Sequence, residues 1–182
     1  MNYRTYRIDE VCSLVKGEYP TLKTEPGDYP LVVTASYRRS ASTYQLESPA
    51  VCVPLTSSTG HGHAAIHRLH YQDGKFALAN LLVALVPKDP KLCNAKYLYY
   101  LLSARKDEYL VPLMQGTANV SLKIPDIASV RIPLPPPEEQ TRIVSYLDSL
   151  QAKVDELNKL RAETEKEIGE LVPSIIDKAL KP

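Results

Sequence analysis

Short apolar runs separated by turn residues occupy most of the chain before residue 135. Candidate strands cover 31–34, 50–55, 66–71, 76–86 and 129–134. Runs of this kind, bounded by Gly, Pro, Asp or Ser, are typical of β-strands. Asp73 and Gly74 stand between two of these runs, and an Asp-Gly pair favours the tight turn of an antiparallel hairpin. The pattern predicts a strand-rich domain with a hairpin at Asp73.

Helical spacing occurs twice in the same part of the chain. Within residues 5–15, one face of a helix would carry Ile8, Val11, Cys12 and Val15. Within 94–102, Asn94 is a residue type that caps helices, and the apolar stripe that follows it comprises Tyr97, Leu98, Leu101 and Leu102. Two helices are therefore predicted among the strands.

The strongest local pattern lies after Pro137, where Glu138 and Glu139 favour the beginning of a helix. Apolar residues then recur alternately every four and three positions, as in a coiled coil: Ile143, Leu147, Leu150, Val154, Leu157 and, beyond the polar positions Arg161 and Thr164, Ile168 and Leu171. We call this set, with its two polar positions, the seam. A helix over 138–171 would be about 50 Å long, so the seam is predicted to pair with another helix. The alternative is a helix folded back on its own domain.

Pro173 is predicted to break or kink this helix before a short final helical segment. The fold class expected from these patterns is α+β, with a strand-rich globular domain over 1–137 and a long helix with a short extension over 138–182. Residues 1–137 contain 15 Lys and Arg against 11 Asp and Glu, a net charge of +4, and residues 138–182 contain 7 against 10, a net charge of −3. A contact with a polyanion is therefore expected in the first part.

Cysteine usage and apolar segments bear on the compartment. Cys12, Cys52 and Cys93 are far apart and form no C-x-x-C pair, which is typical of reduced core thiols. The longest apolar run, 76–86, is about half the roughly 20 residues of a membrane span, and the first residues do not resemble a secretory signal. A cytoplasmic protein without membrane contact is predicted.

The residues that most often carry catalysis form no recognised pattern here. The spacing of the four histidines, at positions 61, 63, 67 and 70, matches no common zinc site. Ser57 and Ser58 lie near histidines, but the G-x-S-x-G elbow of serine hydrolases is absent, as are glycine-rich cofactor loops. The sequence predicts no enzyme, no metal and no cofactor.

Three polar segments remain as candidates for nucleic-acid binding, because their side chains are of the kinds that contact phosphates and base edges. The candidate residues are Tyr37, Arg38, Arg39, Ser40, Ser42 and Thr43 in segment 37–44, Ser57, Ser58, Thr59, His61 and His63 in segment 56–63, and Thr117, Asn119 and Lys123 in segment 115–123. The alternative is that all three are ordinary solvated loops.

A longer stretch gives these segments a context. Residues 115–144 read QGTANVSLKIPDIASVRIPLPPPEEQTRIV. This stretch resembles the junction between recognition domain and helix in the DNA-specificity (S) subunits of type I restriction-modification systems. The similarity extends upstream through 6–11, 29–31, 53–55 and 58–60, and so covers most of the chain.

The resemblance implies a protein with no chemistry of its own. Such a domain reads one half of a bipartite site on double-stranded DNA, and its helix acts as a spacer. A methyltransferase (M) subunit supplies the reaction, and an endonuclease (R) subunit joins for cleavage. The alternative from a different class is a helical scaffold protein that does not bind DNA.

Family members usually carry two recognition domains and two helices in one chain, whereas this sequence has one of each. Either two copies form a homodimer through the seam at 143–171, or the sequence is part of a longer chain. The homodimer is favoured, because an isologous pair reproduces the internal symmetry of the longer chains.

Overall fold

The computed structural model describes residues 3–59 and 62–179. The chain divides into two compact units, residues 1–141 and residues 142–182. Its elements, in chain order, are β1 (Thr5–Arg7), α1 (Ile8–Val11), β2 (Cys12–Lys16), β3 (Tyr29–Val32), β4 (Arg38–Ala41), β5 (Leu46–Glu47), β6 (Ala50–Pro54), β7 (His70–Gln72), β8 (Lys75–Leu78), β9 (Leu82–Pro87), α2 (Ala95–Tyr109), a 3-10 turn (Val111–Leu113), α3 (Ile124–Ser129), β10 (Arg131–Pro133) and α4 (Pro137–Ala179). The predicted α+β class, a strand-rich domain followed by a long helix, is confirmed.

The strands of the first unit form two four-stranded sheets and one two-stranded ribbon. One sheet has the order β2-β9-β6-β7 and is antiparallel throughout. The other has the order β4-β3-β8-β5, in which β3 and β8 are parallel. The ribbon pairs β1 with β10. Fully buried side chains from both sheets, including Leu31, Phe76, Leu78 and Leu85, form the core.

The helix predicted over 5–15 is wrong. Only the single turn α1 is helical, and it lies between two strands. Residues 12–16 form β2, which pairs with β9 in a register that places Val15 opposite Ala84. The spacing correctly indicated burial of Ile8, Val11 and Cys12. The backbone hydrogen bonds of residues 12–16, however, are made with strand β9 and not within a helix.

The hairpin predicted at Asp73 is also wrong, although the turn exists. Gly74 has a φ of 71°, and its N–H donates to Asp73 Oδ1 at 2.7 Å. The strands on either side lie in different sheets, because β7 pairs with β6 whereas β8 pairs with β3 and β5. The turn therefore carries the chain from one sheet to the other.

The other predicted elements largely hold. Asn94 caps α2 through its Oδ1, which accepts from the N–H groups of Lys96 and Tyr97. Strands β3, β6 and β10 lie within or overlap the predicted runs, whereas the run 76–86 is divided into β8 and β9. The cysteines are free and buried, as predicted.

Helix α4 begins at Pro137, next to the predicted start, and continues through Pro173 to Ala179. Of the break or kink predicted at Pro173, the break does not occur, because the helix is continuous across that position. A proline removes one backbone donor, and the hydrogen bonds of the turns around it carry this helix past that position. Within the described residues, no helix combines the length and the apolar character that crossing a membrane requires.

Candidate nucleic-acid interface

Two of the three predicted polar segments lie side by side. The N–H of Ser57 donates to Val120 O at 2.9 Å, and Thr56 forms a β-bridge with Ser121. Gly62, at a φ of 79°, approaches Thr117 so closely that an added Cβ would lie 2.6 Å from its carbonyl oxygen. The described residues of segments 56–63 and 115–123 therefore form one surface.

The hydroxyl of Ser57 holds the loop that follows β6. Ser57 Oγ donates to His63 O at 2.6 Å and accepts from the N–H groups of Thr59 at 3.3 Å and Ala65 at 3.2 Å. Thr59 Oγ1 donates to the same carbonyl of His63 at 3.1 Å. These two hydroxyls, both predicted to contact DNA, are engaged in shaping the loop.

An open cleft of about 430 Å³ lies between three segments of the chain. Its walls come from the segment between β3 and β4, the segment after β6 and the segment before β7. The lining residues are Thr34, Ala35, Ser36, Thr56, Ser57, Ser58, His67 and Arg68. They include five hydroxyls, one imidazole and one guanidinium but no carboxylate, so the cleft favours ligands that accept hydrogen bonds or carry negative charge.

The wall formed by residues 66–69 is anchored at both ends. Ile66 and Leu69 are buried, and the two residues between them, His67 and Arg68, are exposed. The N–H of His67 donates to Ser58 Oγ at 3.1 Å, which ties this wall to the segment after β6.

Arg68 was not among the residues predicted from the sequence. The apolar residues of run 66–71 predict a strand, and that prediction gives no role to the polar residues between them. A signal existed, because Arg68 is the only Lys or Arg between Arg39 and Lys75.

The two arginines of β4 have different surroundings. Arg38 is half-buried, and its guanidinium donates to Gln72 Oε1 at 3.0 Å and to Tyr71 O at 3.3 Å and contacts His70 Nδ1 at 3.1 Å. Burial lowers the pKa of Arg38. Arg39 is exposed. Arg38 therefore links β4 of one sheet to β7 of the other, and Arg39 is the arginine that faces solvent.

His70 completes this link. Burial, and then the nearby charge of Arg38, lower the pKa of His70 to about 4. At neutral pH the ring is therefore uncharged, and Nδ1 is the nitrogen that accepts from Arg38. Nε2 then carries the proton and is buried, close to the backbone of Val33 and Thr34.

The remaining predicted residues are spread over β4 and the loops. Segment 37–44, expected as a loop, contains the strand β4, and Tyr37 before it is 62% exposed. Ser40 Oγ accepts from Gly27 N at 3.3 Å, and Ser42 is exposed. The hydroxyl oxygen of Thr43, Oγ1, lies 2.8 Å from that of Tyr19. The exposed predicted residues elsewhere are Ser58, His63, Thr117, Asn119 and Lys123. His61 lies outside the described residues.

Comparison with known proteins shows which family contains a chain with this polar surface. Residues 1–166 match the family described as type I restriction modification DNA specificity domain. The chain belongs to that family. The match covers the strand-rich unit and the larger part of α4, and it confirms the resemblance read from residues 115–144.

Solved structures of specificity subunits share the fold. A chain from a study of complex assembly and conformational transition of the type I R-M system is 28% identical, with a TM-score of 0.67 over 98% of this chain and 45% of that chain. The HsdS subunit from Thermoanaerobacter tengcongensis is also 28% identical, with a TM-score of 0.61 over 98% of this chain and 44% of that chain. The type I S subunit from M. genitalium, at 20% identity, has a TM-score of 0.67 over 88% of this chain and 42% of that chain, which supports the fold alone. The specificity chain thus spans less than half the length of these relatives.

Membership in a DNA specificity family agrees with the prediction that the chain is not an enzyme. Among residues 3–59 and 62–179, no group of three or more His, Cys, Asp or Glu side chains is placed to hold a metal ion.

The seam of this specificity chain is open along most of α4. The exposed fraction is 39% for Leu150, 48% for Val154, 65% for Leu157 and 56% for both Ile168 and Leu171, whereas Ile143 and Leu147 are half-buried. Ile175, 62% exposed, continues the spacing by four more residues beyond Pro173. The seam predicted from the sequence ends at Leu171, before the proline, and so does not include Ile175.

Proposed function

We propose that this chain is the DNA-recognition subunit of a type I restriction-modification complex and reads one half of a bipartite duplex target. The observation that carries the proposal is the joined polar surface of segments 56–63 and 115–123 beside a cleft without a carboxylate, in a chain of the DNA specificity family. The net charge of +4 over residues 1–137 supports it, because approach to DNA depends on basic charge.

The predicted DNA residues divide into two roles. Those proposed to contact DNA are Tyr37, Arg39, Ser40, Ser42, Thr43, Ser58, His61, His63, Thr117, Asn119 and Lys123. Arg38, Ser57 and Thr59 are proposed to position these residues instead, because each is partly buried and donates a hydrogen bond to a backbone carbonyl, Arg38 to Tyr71 O and the two hydroxyls to His63 O. In this scheme residues 1–137 are the target-recognition domain and 138–182 are the spacer and dimerisation helix.

The reaction itself is assigned to partners. We propose that a methyltransferase (M) subunit docks on this chain and that an endonuclease (R) subunit joins for cleavage, in the cytoplasm where the DNA is accessible. The chain's own task is to bind and orient the duplex.

Selection from a randomised duplex pool tests DNA recognition. The full chain is incubated with the pool, with and without a type I methyltransferase subunit, and bound duplexes are sequenced. Enrichment of one short motif supports the proposal. Binding of the methyltransferase subunit without enrichment of any motif would favour the alternative, a helical scaffold that does not bind DNA.

The exposed seam supports a second proposal, that two copies of this chain pair through α4. Apolar side chains exposed at coiled-coil spacing are stabilised when a second helix covers them. Light scattering behind a sizing column should give the mass of a dimer for the wild type and of a monomer for Leu150→Glu. Ser149→Glu, which changes an exposed neighbour outside the seam, is the matched control and should remain a dimer. A monomeric wild type would mean that α4 pairs with a different chain.

A further inference from the structure

Arg68 combines features that the predicted DNA residues do not. Its side chain is exposed at the cleft and makes no hydrogen bond or ion pair with any described residue. The charge is therefore free for a ligand. The backbone of Arg68 is also held in place, because Ile66 and Leu69 on either side of it are buried.

The other walls of the cleft are held in place as well. Arg38 ties β4 to β7 by its contacts with Gln72, His70 and Tyr71, which keeps segment 34–36 beside residues 67–68. Ser58 is tied to His67 through the hydrogen bond between its Oγ and the N–H of His67. A ligand would therefore meet a preformed cleft, and the cost of ordering three separate loops would be avoided.

The lining chemistry separates two kinds of DNA contact. Surfaces that hold phosphates gather several cations, whereas this cleft has one guanidinium among hydroxyls of Thr34, Ser36, Thr56 and Ser58. Hydroxyls donate and accept, so they suit the mixed edges of base pairs. The parallel N–H groups of an arginine match the O6 and N7 acceptors of guanine, the commonest base-specific contact in the major groove.

We propose that Arg68 reads a guanine edge in the major groove, with the cleft of residues 34–36, 56–58 and 67–68 holding that base pair. The inference rests on the proposed DNA recognition and names a contact within it. Arg68 would then be a specificity-determining residue, whereas Arg39 outside the cleft would contribute charge.

The test compares Arg68→Lys with Arg68→Ala in the full chain, each selected on the same randomised duplex pool and then titrated with the duplex that the wild type selects. A lysine keeps the charge but loses the two-pronged donor. Arg68→Lys should lower affinity for that duplex about tenfold to a hundredfold and relax the preference at one guanine. The slope of log affinity against log salt should stay unchanged, because the number of charges is the same.

Arg131→Lys and Arg131→Ala are the matched controls, since Arg131 is an exposed arginine on β10 that does not line the cleft. Neither should change any base preference. Full binding by Arg68→Lys, with a sequence-independent loss and a salt slope lower by about one for Arg68→Ala, would make Arg68 a phosphate contact and overturn the assignment. Unchanged binding by both Arg68 variants would remove the cleft from the interface. A wild type that enriches no motif would instead contradict the proposed function itself.

Discussion

Arg38 and Arg39 are neighbours in the sequence with opposite surroundings, and the difference decides what each contributes. Arg38 is half-buried against Gln72, His70 and the carbonyl of Tyr71, whereas Arg39 is exposed. The sequence alone gives no reason to distinguish the two arginines, because charged residues of an edge strand are usually solvated. Only the arrangement of the two sheets reveals that the first links β4 to β7.

Arg38→Ala should therefore destabilise the domain. The change leaves the acceptors on Gln72 and Tyr71 without their donor, and hydrogen bonds to charged groups contribute about 1.5 to 3 kcal/mol each, so we expect a loss of about 2 kcal/mol in the free energy of unfolding. Arg39→Ala, the matched control, should change it by less than about 0.5 kcal/mol. Urea unfolding followed by circular dichroism measures both, and equal values for the two variants would contradict the role given to Arg38.

His70 makes stability depend on pH. Its pKa of about 4 in the folded chain lies below the ordinary histidine value of about 6.5, because the ring is buried beside Arg38. Between these two values the unfolded chain binds a proton that the folded chain does not. The contribution of His70 to the free energy of unfolding is therefore fully present above about pH 6.5. It is lost as pH falls towards 4, and the free energy of unfolding decreases by up to about 3 kcal/mol.

His70→Gln isolates this contribution, because glutamine does not titrate and still offers Arg38 an acceptor. The difference in free energy of unfolding between wild type and His70→Gln should shift steadily with pH from about 6.5 to 4 and stay constant above that range. Chemical unfolding at a series of pH values gives the difference. A difference independent of pH would mean that His70 titrates alike in both states.

At the scale of elements, sequence patterns correctly predicted the helices that are determined by interactions between residues close in sequence. The cap at Asn94 and the apolar stripe after it identified α2, and the residues from Pro137 onward identified the beginning of α4. The failures, at residues 5–15 and at Asp73, concern strand partners that are distant in sequence. The spacing of Ile8, Val11 and Cys12 fits a helix and equally fits one turn between two strands, and only pairing with β9 separates them.

The candidate site was predictable to a similar extent. Its polar segments could be predicted because small polar residues cluster in turns. Which of these residues shape the loops and which remain exposed could not be predicted. The hydroxyl of Ser57, although it lines the cleft, is engaged in closing a loop whose other end, Ala65, is eight residues away. Arg68 was missed because its buried neighbours, Ile66 and Leu69, made the run resemble a strand.

The first turn of α4 is fastened by one polar side chain. Gln140 is 1% exposed, and its Nε2 donates to Leu92 O and to Pro135 O, both at 2.9 Å. Its Oε1 accepts at 2.9 Å from the N–H of Asn94, the N-cap residue of α2. The beginning of α4 is thereby attached to the beginning of α2 inside the first unit.

Gln140→Glu should weaken this attachment strongly. The variant has nearly the same shape but replaces two donors with a carboxylate that faces two carbonyl oxygens. Leaving buried polar groups unpaired, together with a buried charge, should cost about 2 to 4 kcal/mol in the free energy of unfolding at neutral pH. Gln151→Glu, at an exposed position of the same helix, loses one exposed hydrogen bond to Asp155 and should cost less than about 0.5 kcal/mol. Similar losses in thermal and urea unfolding for both would contradict this account.

At the scale of the whole molecule, the seam restricts how two copies can pair. Arg161 and Thr164 interrupt an otherwise apolar stripe. A parallel pair in register would place Arg161 against the partner's Arg161, which brings like charges together. An antiparallel pair can instead place Arg161 opposite the partner's Thr164, so that the two polar positions face each other.

In that antiparallel register the three layers on each side of the polar centre are apolar, and the next layer would place Leu147 opposite the partner's Lys178. The layers on each side of the centre pair Leu157 with the partner's Ile168, Val154 with the partner's Leu171, and Leu150 with the partner's Ile175. A shift by one heptad would place Arg161 opposite the partner's Leu157 and bury the guanidinium against a leucine. For the proposed pair, the pattern therefore favours one orientation and one register, in which Ile175, beyond Pro173, would lie in the interface.

Disulfide cross-linking tests this register, and the natural cysteines do not interfere because all three are buried. Co-expressed Leu157→Cys and Ile168→Cys chains should form a covalent dimer on mild oxidation, because those positions face each other. Leu157→Cys alone should not, since its two copies would lie about 16 Å apart along the helix axis, beyond the roughly 7 Å between Cα atoms that a disulfide spans. Ser149→Cys with Ile168→Cys, which takes one cysteine out of the seam, is the control and should stay uncrosslinked. Efficient cross-linking of Leu157→Cys with itself would instead indicate a parallel pair, with Arg161 facing its own copy.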